Sequence, residues 1–256
     1  MAIHKAQRQD IRSLKRRSER WAKRLVVVEG VKCILELLQS PWEVERIYFT
    51  SDHEGGASLS SLQASSTGVE FVSVSAKDME MMSALKTAPG LLAVAHMPDP
   101  SPQGPGLWLY LDDINDPGNV GTLIRVADWF GLAGVVLSSA TADPFGPKAV
   151  QSAMGSTFHV PLRIQNLRDL PEDWRSRVAG LDAGGKDLHT QAPSALPTLL
   201  VVGSESHGMS QEVKASCHDI LSIPGAGRAE SLNASVAGAV AVSALMQQAM
   251  SMDQGG

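Results

Sequence analysis

Two cysteines, Cys33 and Cys217, are all that 256 residues carry, and neither stands in a Cys-x-x-Cys pair. A zinc site, any other metal centre and a disulfide framework are therefore not expected, and a reducing, cytoplasmic setting is. Each thiol reads as a small buried apolar residue. No uninterrupted apolar run approaches the ~20 residues of a membrane span. The basic N-terminal stretch has no apolar core behind it and does not read as a secretory signal. A dinucleotide fingerprint is missing too. Gly225-Ala226-Gly227 would need its third glycine at 230, where Glu230 stands, and the pattern falls near the end of the chain rather than in a first strand–helix unit. No P-loop occurs. These absences disfavour a nucleotide-binding oxidoreductase.

What is present suits a globular protein with room for one large domain or two small ones: 43% apolar and 19% charged residues. The net charge of -5 hides an asymmetry. Residues 1–24 hold nine Lys/Arg (Lys5, Arg8, Arg12, Lys15, Arg16, Arg17, Arg20, Lys23, Arg24) against Asp10 and Glu19, a local charge of +7, which leaves -12 on the remainder. A basic arm on an acidic body is the pattern of a phosphate-contacting segment. A solvated helix that aids solubility has the same composition.

After this arm, Leu25-Val26-Val27-Val28 predicts a short buried strand, and Val31 to Gln39 has helical spacing (Val31, Ile34, Leu35, Leu38). Val44 to Thr50 is strand-like, 51–58 reads as a Ser/Gly-rich loop, and Val69 to Val74 is strand-like. A helix follows over Ala76 to Leu85 and a strand over Leu91 to His96. Residues 25–97 thus form a small α/β domain. Residues 98–106, with four prolines and two glycines, form the linker and domain boundary. In 107–256, Leu107 to Leu111 is apolar throughout, as in a parallel strand covered on both faces. Strands at Gly134 to Ser138, Leu199 to Val202 and Asp219 to Ile223 alternate with helices at Gly121 to Phe130, Pro147 to Met154 and about Leu232 to Met250. The expectation is a parallel sheet with helices on both faces.

Three loops carry the chemistry, each at the end of a predicted buried strand, where open α/β sheets bind ligands. The first is Asn115-Asp116-Pro117-Gly118-Asn119-Val120-Gly121-Thr122-Leu123-Ile124-Arg125. Its Asn-Asp-Pro-Gly is strong turn chemistry, and Arg125 follows Gly121 by about one helical turn. The second is Gly203-Ser204-Glu205-Ser206-His207-Gly208, in which two glycines bracket a carboxylate able to accept from a hydroxyl. His207, a lone loop histidine, is given no role. The third is Ile223-Pro224-Gly225-Ala226-Gly227-Arg228-Ala229-Glu230-Ser231-Leu232-Asn233, whose Ser231 reads as the N-cap of the last helix. That helix start suits an anion. Taken singly, the three are also ordinary turns and caps.

Together, in this order, they resemble the motif set of the SpoU branch of the SPOUT superfamily, S-adenosylmethionine-dependent RNA ribose 2'-O-methyltransferases. The resemblance covers 107–250, including Gln151-Ser152-Ala153-Met154-Gly155-Ser156, which is similar to the family's connecting motif. Residues 12–96, with Val28-Glu29-Gly30, are similar to its L30e-like substrate-binding domain. It implies a knotted (trefoil) parallel-sheet catalytic domain behind a small α/β domain, a homodimer, and ribosomal RNA before transfer RNA as substrate. It carries Asn115, Arg125, Glu205, Ser231 and Asn233 over as catalytic residues. It assigns Gly203, Glu205, Gly208, Ile223 and Leu232 to the cofactor. Arg12, Lys15, Arg16, Arg17 and Arg24 are expected on RNA. Arg125, a guanidinium with donors and no acceptor, is expected as phosphate clamp and oxyanion stabiliser, with Glu205, Ser231 or Asn233 ordering the hydroxyl. One departure is Gly225, where the family usually has a bulkier residue, often Met. A non-catalytic RNA-binding protein retaining the fold is the alternative.

Overall fold

The computed structural model describes residues 3–99, 104–190 and 196–253. The central part of the expected 98–106 linker lies outside them. In chain order the first elements are α1 (Lys5–Ser13), α2 (Arg17–Lys23), β1 (Leu25–Glu29), α3 (Val31–Leu38), β2 (Val44–Thr50), α4 (Ala57–Ala64), β3 (Glu70–Val74), α5 (Ala76–Met82) and β4 (Leu91–His96). Then follow β5 (Trp108–Asp112), α6 (Pro117–Trp129), β6 (Gly134–Leu137), α7 (Pro147–Ala153), β7 (Leu162–Ile164), β8 (Val178–Asp187), β9 (Leu199–Gly203), α8 (Gln211–Ala215), β10 (Asp219–Ser222) and α9 (Ala234–Asp253).

The chain divides into two units, 1–99 with 143–159, and 100–142 with 160–256. The first holds a four-stranded sheet of order β1-β4-β2-β3. β4 pairs antiparallel with β1 and β2, and β2 pairs parallel with β3. β4 is buried from Leu91 to Ala95, as its apolar sequence dictates. Ile11, Leu14, Val27, Tyr48, Met79, Met82 and Leu92 pack together on one side.

That cluster corrects the expected N-terminal arm. Residues 5–23 are two helices that complete the first unit's core. Arg20 is 4% exposed and donates from Nε and Nη2 to Asp143 Oδ2 at 3.1 and 2.5 Å, and from Nη1 to the carbonyls of Leu14 and Lys15. Arg8 pairs with Asp78. A second correction concerns 51–58. The serine-rich composition hides a turn at Ser51–His53 and the start of α4, whose Leu59 and Leu62 are buried one turn apart. The segment 143–159, expected in the catalytic domain, packs with the first unit. There Trp42 meets Phe145 and Phe158 edge-on at 5.8 and 5.2 Å.

The second unit is a six-stranded sheet, order β10-β8-β9-β5-β6-β7, parallel at every pairing. β5 is buried at all five residues. Tyr110 and Val201 face one layer with Trp174 and Val213. By strand alternation, Leu109, Leu111, Leu200 and Val202 face the other, where α6 and α9 lie. Gly238 lets α9 approach, because a Cβ there would stand 2.5 Å from Leu123 and 3.3 Å from Val202. This close packing fixes the start of α9 beside the end of β9. β7, β8 and α8 were not expected from the sequence.

Candidate functional site

The order of strands makes β5 and β9 neighbours whose connections run to opposite sides, the switch point at which parallel sheets open a crevice. Asp112 pairs in register with Gly203, so the first two motif loops leave the sheet side by side.

The first loop starts α6 earlier than expected. Asp116 is the N-cap, accepting from Gly118 N at 2.5 Å and Asn119 N at 3.3 Å, and Pro117 takes the first helical position, which suits its fixed φ. Asn119 therefore stands in the first turn and faces the second loop. Its Nδ2 donates to Glu205 Oε1 at 2.8 Å. Asn115 precedes the cap, is exposed, and is not part of this contact. The asparagine of the first loop that enters this cluster is Asn119, not Asn115. The signal was available: Asp-Pro reads as N-cap and first helical residue, which places residue 119 in the helix and 115 outside it.

The third loop also differs from expectation. α9 begins at Ala234, and its cap is Asn233 rather than Ser231. Asn233 Oδ1 accepts from Ser235 N at 3.0 Å, Ser235 Oγ at 2.6 Å and Val236 N at 3.3 Å. Its Nδ2 donates to Asn119 Oδ1 at 3.1 Å and to Glu205 Oε1. Ala234 N also donates to Glu205 Oε1, at 3.2 Å. One carboxylate oxygen thus receives two amide side chains and the N-terminus of a long helix, where a negative charge is favoured. No hydrogen bond to Glu205 Oε2 is found among the described residues. Ser231 is exposed and does not join this cluster.

Arg125 lies on the exposed face of α6. It is about 9 Å along the helix axis from Asn119 at 1.5 Å per residue, with no acidic partner among the described residues. The glycine loop is a tight turn: Ser204 and Gly208 exchange backbone hydrogen bonds at 2.9 and 2.8 Å. Gly203 must be glycine, because a Cβ would lie 2.3 Å from Gly208 C. Glu205 and His207 project from this turn, and His207 Nδ1 pairs with Ser206 Oγ at 2.7 Å in the open. Ile223 is half-buried, and Leu232 is 46% exposed. Since β8 separates β9 from β10, their ends stand about 10 Å apart, a span on the scale of a nucleoside. The glycine turn at one end of that span and the half-buried Ile223 at the other fit an adenosine.

Burial shapes the rest of the crevice. Asp112 is 3% exposed, and that desolvation holds its carboxyl above the usual range. The Cys217 thiol is pushed up to about 11, mainly by burial, so it is unreactive near neutrality. No group of three or more metal-ligating side chains occurs among the described residues.

Of the expected RNA contacts in the first unit, Arg12, Lys15, Arg16 and Arg17 are exposed. Arg24 is engaged by the carbonyls of Met97 and Pro98 and by Asp99.

The profile of the SpoU rRNA Methylase family matches residues 106–243, and that of the MRM3-like substrate binding domain matches 6–93. The chain is 31% identical over 236 residues to the 23S rRNA (guanosine(2553)-2'-O)-methyltransferase RlmP of Bacillus subtilis, covering 91% of this chain and 93% of that protein. It is similar to the crystal structure of the SpoU methyltransferase AviRb from Streptomyces viridochromogenes in complex with AdoMet (TM-score 0.87, 26% identity, 97% of this chain and 99% of that one). It is also similar to an AdoMet-bound rRNA methyltransferase from Sinorhizobium meliloti (TM-score 0.83, 25% identity, 97% and 98% covered).

Proposed function

The chain belongs to the SpoU rRNA Methylase family, and we propose from this premise how its residues carry out methyl transfer from S-adenosylmethionine to a ribose 2'-hydroxyl of structured RNA. Ribosomal RNA is the substrate we favour, in keeping with the relatives' names. The observation that carries the reading is the meeting of Asn119, Glu205, Asn233 and the start of α9 at the β5/β9 switch point.

Gly203, Gly208, Ile223 and Leu232 would hold the cofactor, with Glu205 beside it. When bound, it supplies an electrophilic methyl group on a sulfonium. What this chain adds is a positioned nucleophile. Oε1 of Glu205 is saturated by its three donors, which leaves Oε2 to accept the hydrogen of the 2'-hydroxyl and to take its proton as the oxygen attacks. Positioning of this kind is worth roughly 7–11 kcal/mol, and proton removal on the order of 10²–10⁴-fold. The Arg125 guanidinium clamps the neighbouring phosphate while stabilising the developing oxyanion. Arg12, Lys15, Arg16 and Arg17 bind RNA phosphates from the first unit.

The homodimer and the trefoil knot are part of the proposal. α9 is apolar on nearly all sides, with Val236 and Met250 exposed, and Trp129 at the end of α6 is 83% exposed. Such surface calls for a covering partner. The connection from β10, at the sheet edge, back to α6 and β9 supports a threaded C-terminal segment. Two free cysteines agree with a cytoplasmic site of action.

Mapping of 2'-O-methyl sites in total RNA, with and without the protein, tests the function. One site lost on deletion and restored by the purified enzyme with S-adenosylmethionine is expected. An unchanged map, together with calorimetry showing no cofactor binding, would leave an RNA-binding protein without turnover.

A further inference from the structure

The loop after β9 is fastened at its exit as well as folded on itself. Ser210 N donates to Asp112 Oδ2 at 2.7 Å. Asp112 is the last residue of β5 and pairs with Gly203, so one side chain ties the strand end that leads into the first motif loop to the point where the chain leaves the second. Immediately beyond, Asp113 adopts a left-handed conformation (φ 55). It is held there by Ser138, whose Oγ accepts from Asp113 N at 3.1 Å and donates to its carboxylate at 2.9 Å. The chain therefore turns away toward Asp116 and α6 directly after Asp112. A cavity of about 210 Å³ opens beside the tie, lined by Asp112, Asp113, Asn166, Arg168, Ser210 and Glu212. The tie borders this cavity on one side, while on the other the neighbouring Met209, 6% exposed, packs against Gly180, so the Asp112 bond adds to an anchor that packing already supplies.

We propose that Asp112 is a positioning residue: by holding Ser210 it sets the loop 203–210 in the conformation that presents the Gly203 backbone to the cofactor and Glu205 to the hydroxyl. It touches neither ligand. The proposal rests on the reading of that loop as the cofactor loop.

Four variants separate the tie from mere packing. Asp112→Ala removes the acceptor, and Asp112→Asn keeps one. Ser210→Pro removes the N–H donor at a residue whose φ of -59 suits proline, and Ser210→Ala keeps that donor. By calorimetry with S-adenosylmethionine, Asp112→Ala and Ser210→Pro should weaken binding by about tenfold or more, as loss of a hydrogen bond to a charged group does. Asp112→Asn and Ser210→Ala should stay within about threefold. In the cofactor-free protein, the first pair should also speed hydrogen exchange at the Ser204 and Gly208 amides, which reports loop order without any turnover. If Asp112→Ala fails to fold, the two Ser210 variants decide. Unchanged binding and exchange in Ser210→Pro, with the wild type binding normally, overturns the tie. A wild type that binds no cofactor overturns the reading of the loop, and the tie's role with it.

Discussion

Asn119 donates from Nδ2 to Oε1 of Glu205 at 2.8 Å, joining residues 86 positions apart in the chain. The same oxygen receives Asn233 Nδ2 and Ala234 N. This one-sided saturation distinguishes the two carboxylate oxygens and gives Glu205→Gln a defined outcome. The glutamine oxygen can take the place of Oε1 and keep its three donors. Its amide nitrogen then stands where Oε2 was, and it can donate but not accept. Methyl transfer should fall about 10²–10⁴-fold, the worth of a general base, with cofactor Kd nearly unchanged. Single-turnover kinetics and calorimetry on the same preparation check this. A Glu205→Gln enzyme of normal rate would remove the carboxylate from proton transfer.

The two asparagines of the first loop make a paired test. Asn119→Ala removes a donor to a charged acceptor, a loss of about 1.5–3 kcal/mol, so kcat/KM should fall roughly 10–100-fold. Asn115→Ala should change it by less than about threefold, because Asn115 lies before the N-cap and outside the cluster. Equal effects of the two would contradict the geometry described.

Arg125→Ala should abolish methyl transfer and leave cofactor affinity nearly intact, since Arg125 lies on the exposed face of α6 and outside the 203–208 turn. Arg125→Lys should recover only a fraction, because a point charge does not reproduce a bidentate fork on phosphate. Cofactor binding that fell with activity would place Arg125 in the cofactor site instead.

What the sequence made legible follows from the strength of its local signals. Leu91–His96 is a continuous apolar run and is found as a strand at its expected boundaries. Leu199–Gly203 and Gly134–Leu137 are nearly so. The three loops at strand ends were equally visible, because glycine, proline and asparagine have few other reasons to cluster there. α4 was hidden because Ser58, Ser60 and Ser61 mask a two-leucine buried stripe. β8 was hidden because its pairing with β10 jumps from Gly180 to Lys186 between adjacent partners, a register no periodicity reveals. Ser231 and Asn233 are both favoured caps, and sequence alone does not choose between caps two residues apart. The choice is tertiary: Asn233 caps α9 with its oxygen while its nitrogen reaches Glu205.

The basic N-terminal stretch illustrates the same limit and changes what truncation should do. A detachable arm would cost only RNA affinity. Ile11 and Leu14 are buried, and Arg20 forms a 2.5 Å ion pair with Asp143 at 5% and 7% side-chain exposure. Removing one member of a buried pair costs about 3–5 kcal/mol. Arg20→Ala and deletion of residues 1–24 should therefore lower the denaturation midpoint of the first unit markedly. Combined Arg12→Ala and Arg17→Ala should leave the unit's stability within about 0.5 kcal/mol and flatten the salt dependence of RNA binding. A truncated protein as stable as the whole chain would restore the arm.

Asp112 gives the pH dependence its sign. Its folded-state pKa is raised above the unfolded value by burial, with the charges of Asp113 and Glu212 acting in the same direction and Ser210 opposing. Tyr110, Arg168 and Cys217 are the other titratable or charged groups in the surrounding layer. A carboxyl of raised pKa binds its proton more tightly in the folded state. At a pH below the unfolded value, both states are protonated and no penalty exists. As pH rises through the interval up to the folded pKa, the folded state is progressively disfavoured, and the full penalty is present above it. Asp112→Asn removes that penalty while retaining an acceptor for Ser210. Its melting temperature should exceed the wild type's at pH 8, and the gain should shrink at pH 4. A variant less stable at pH 8 than the wild type would mean that the charge-assisted bond to Ser210 outweighs the cost of burying the charge.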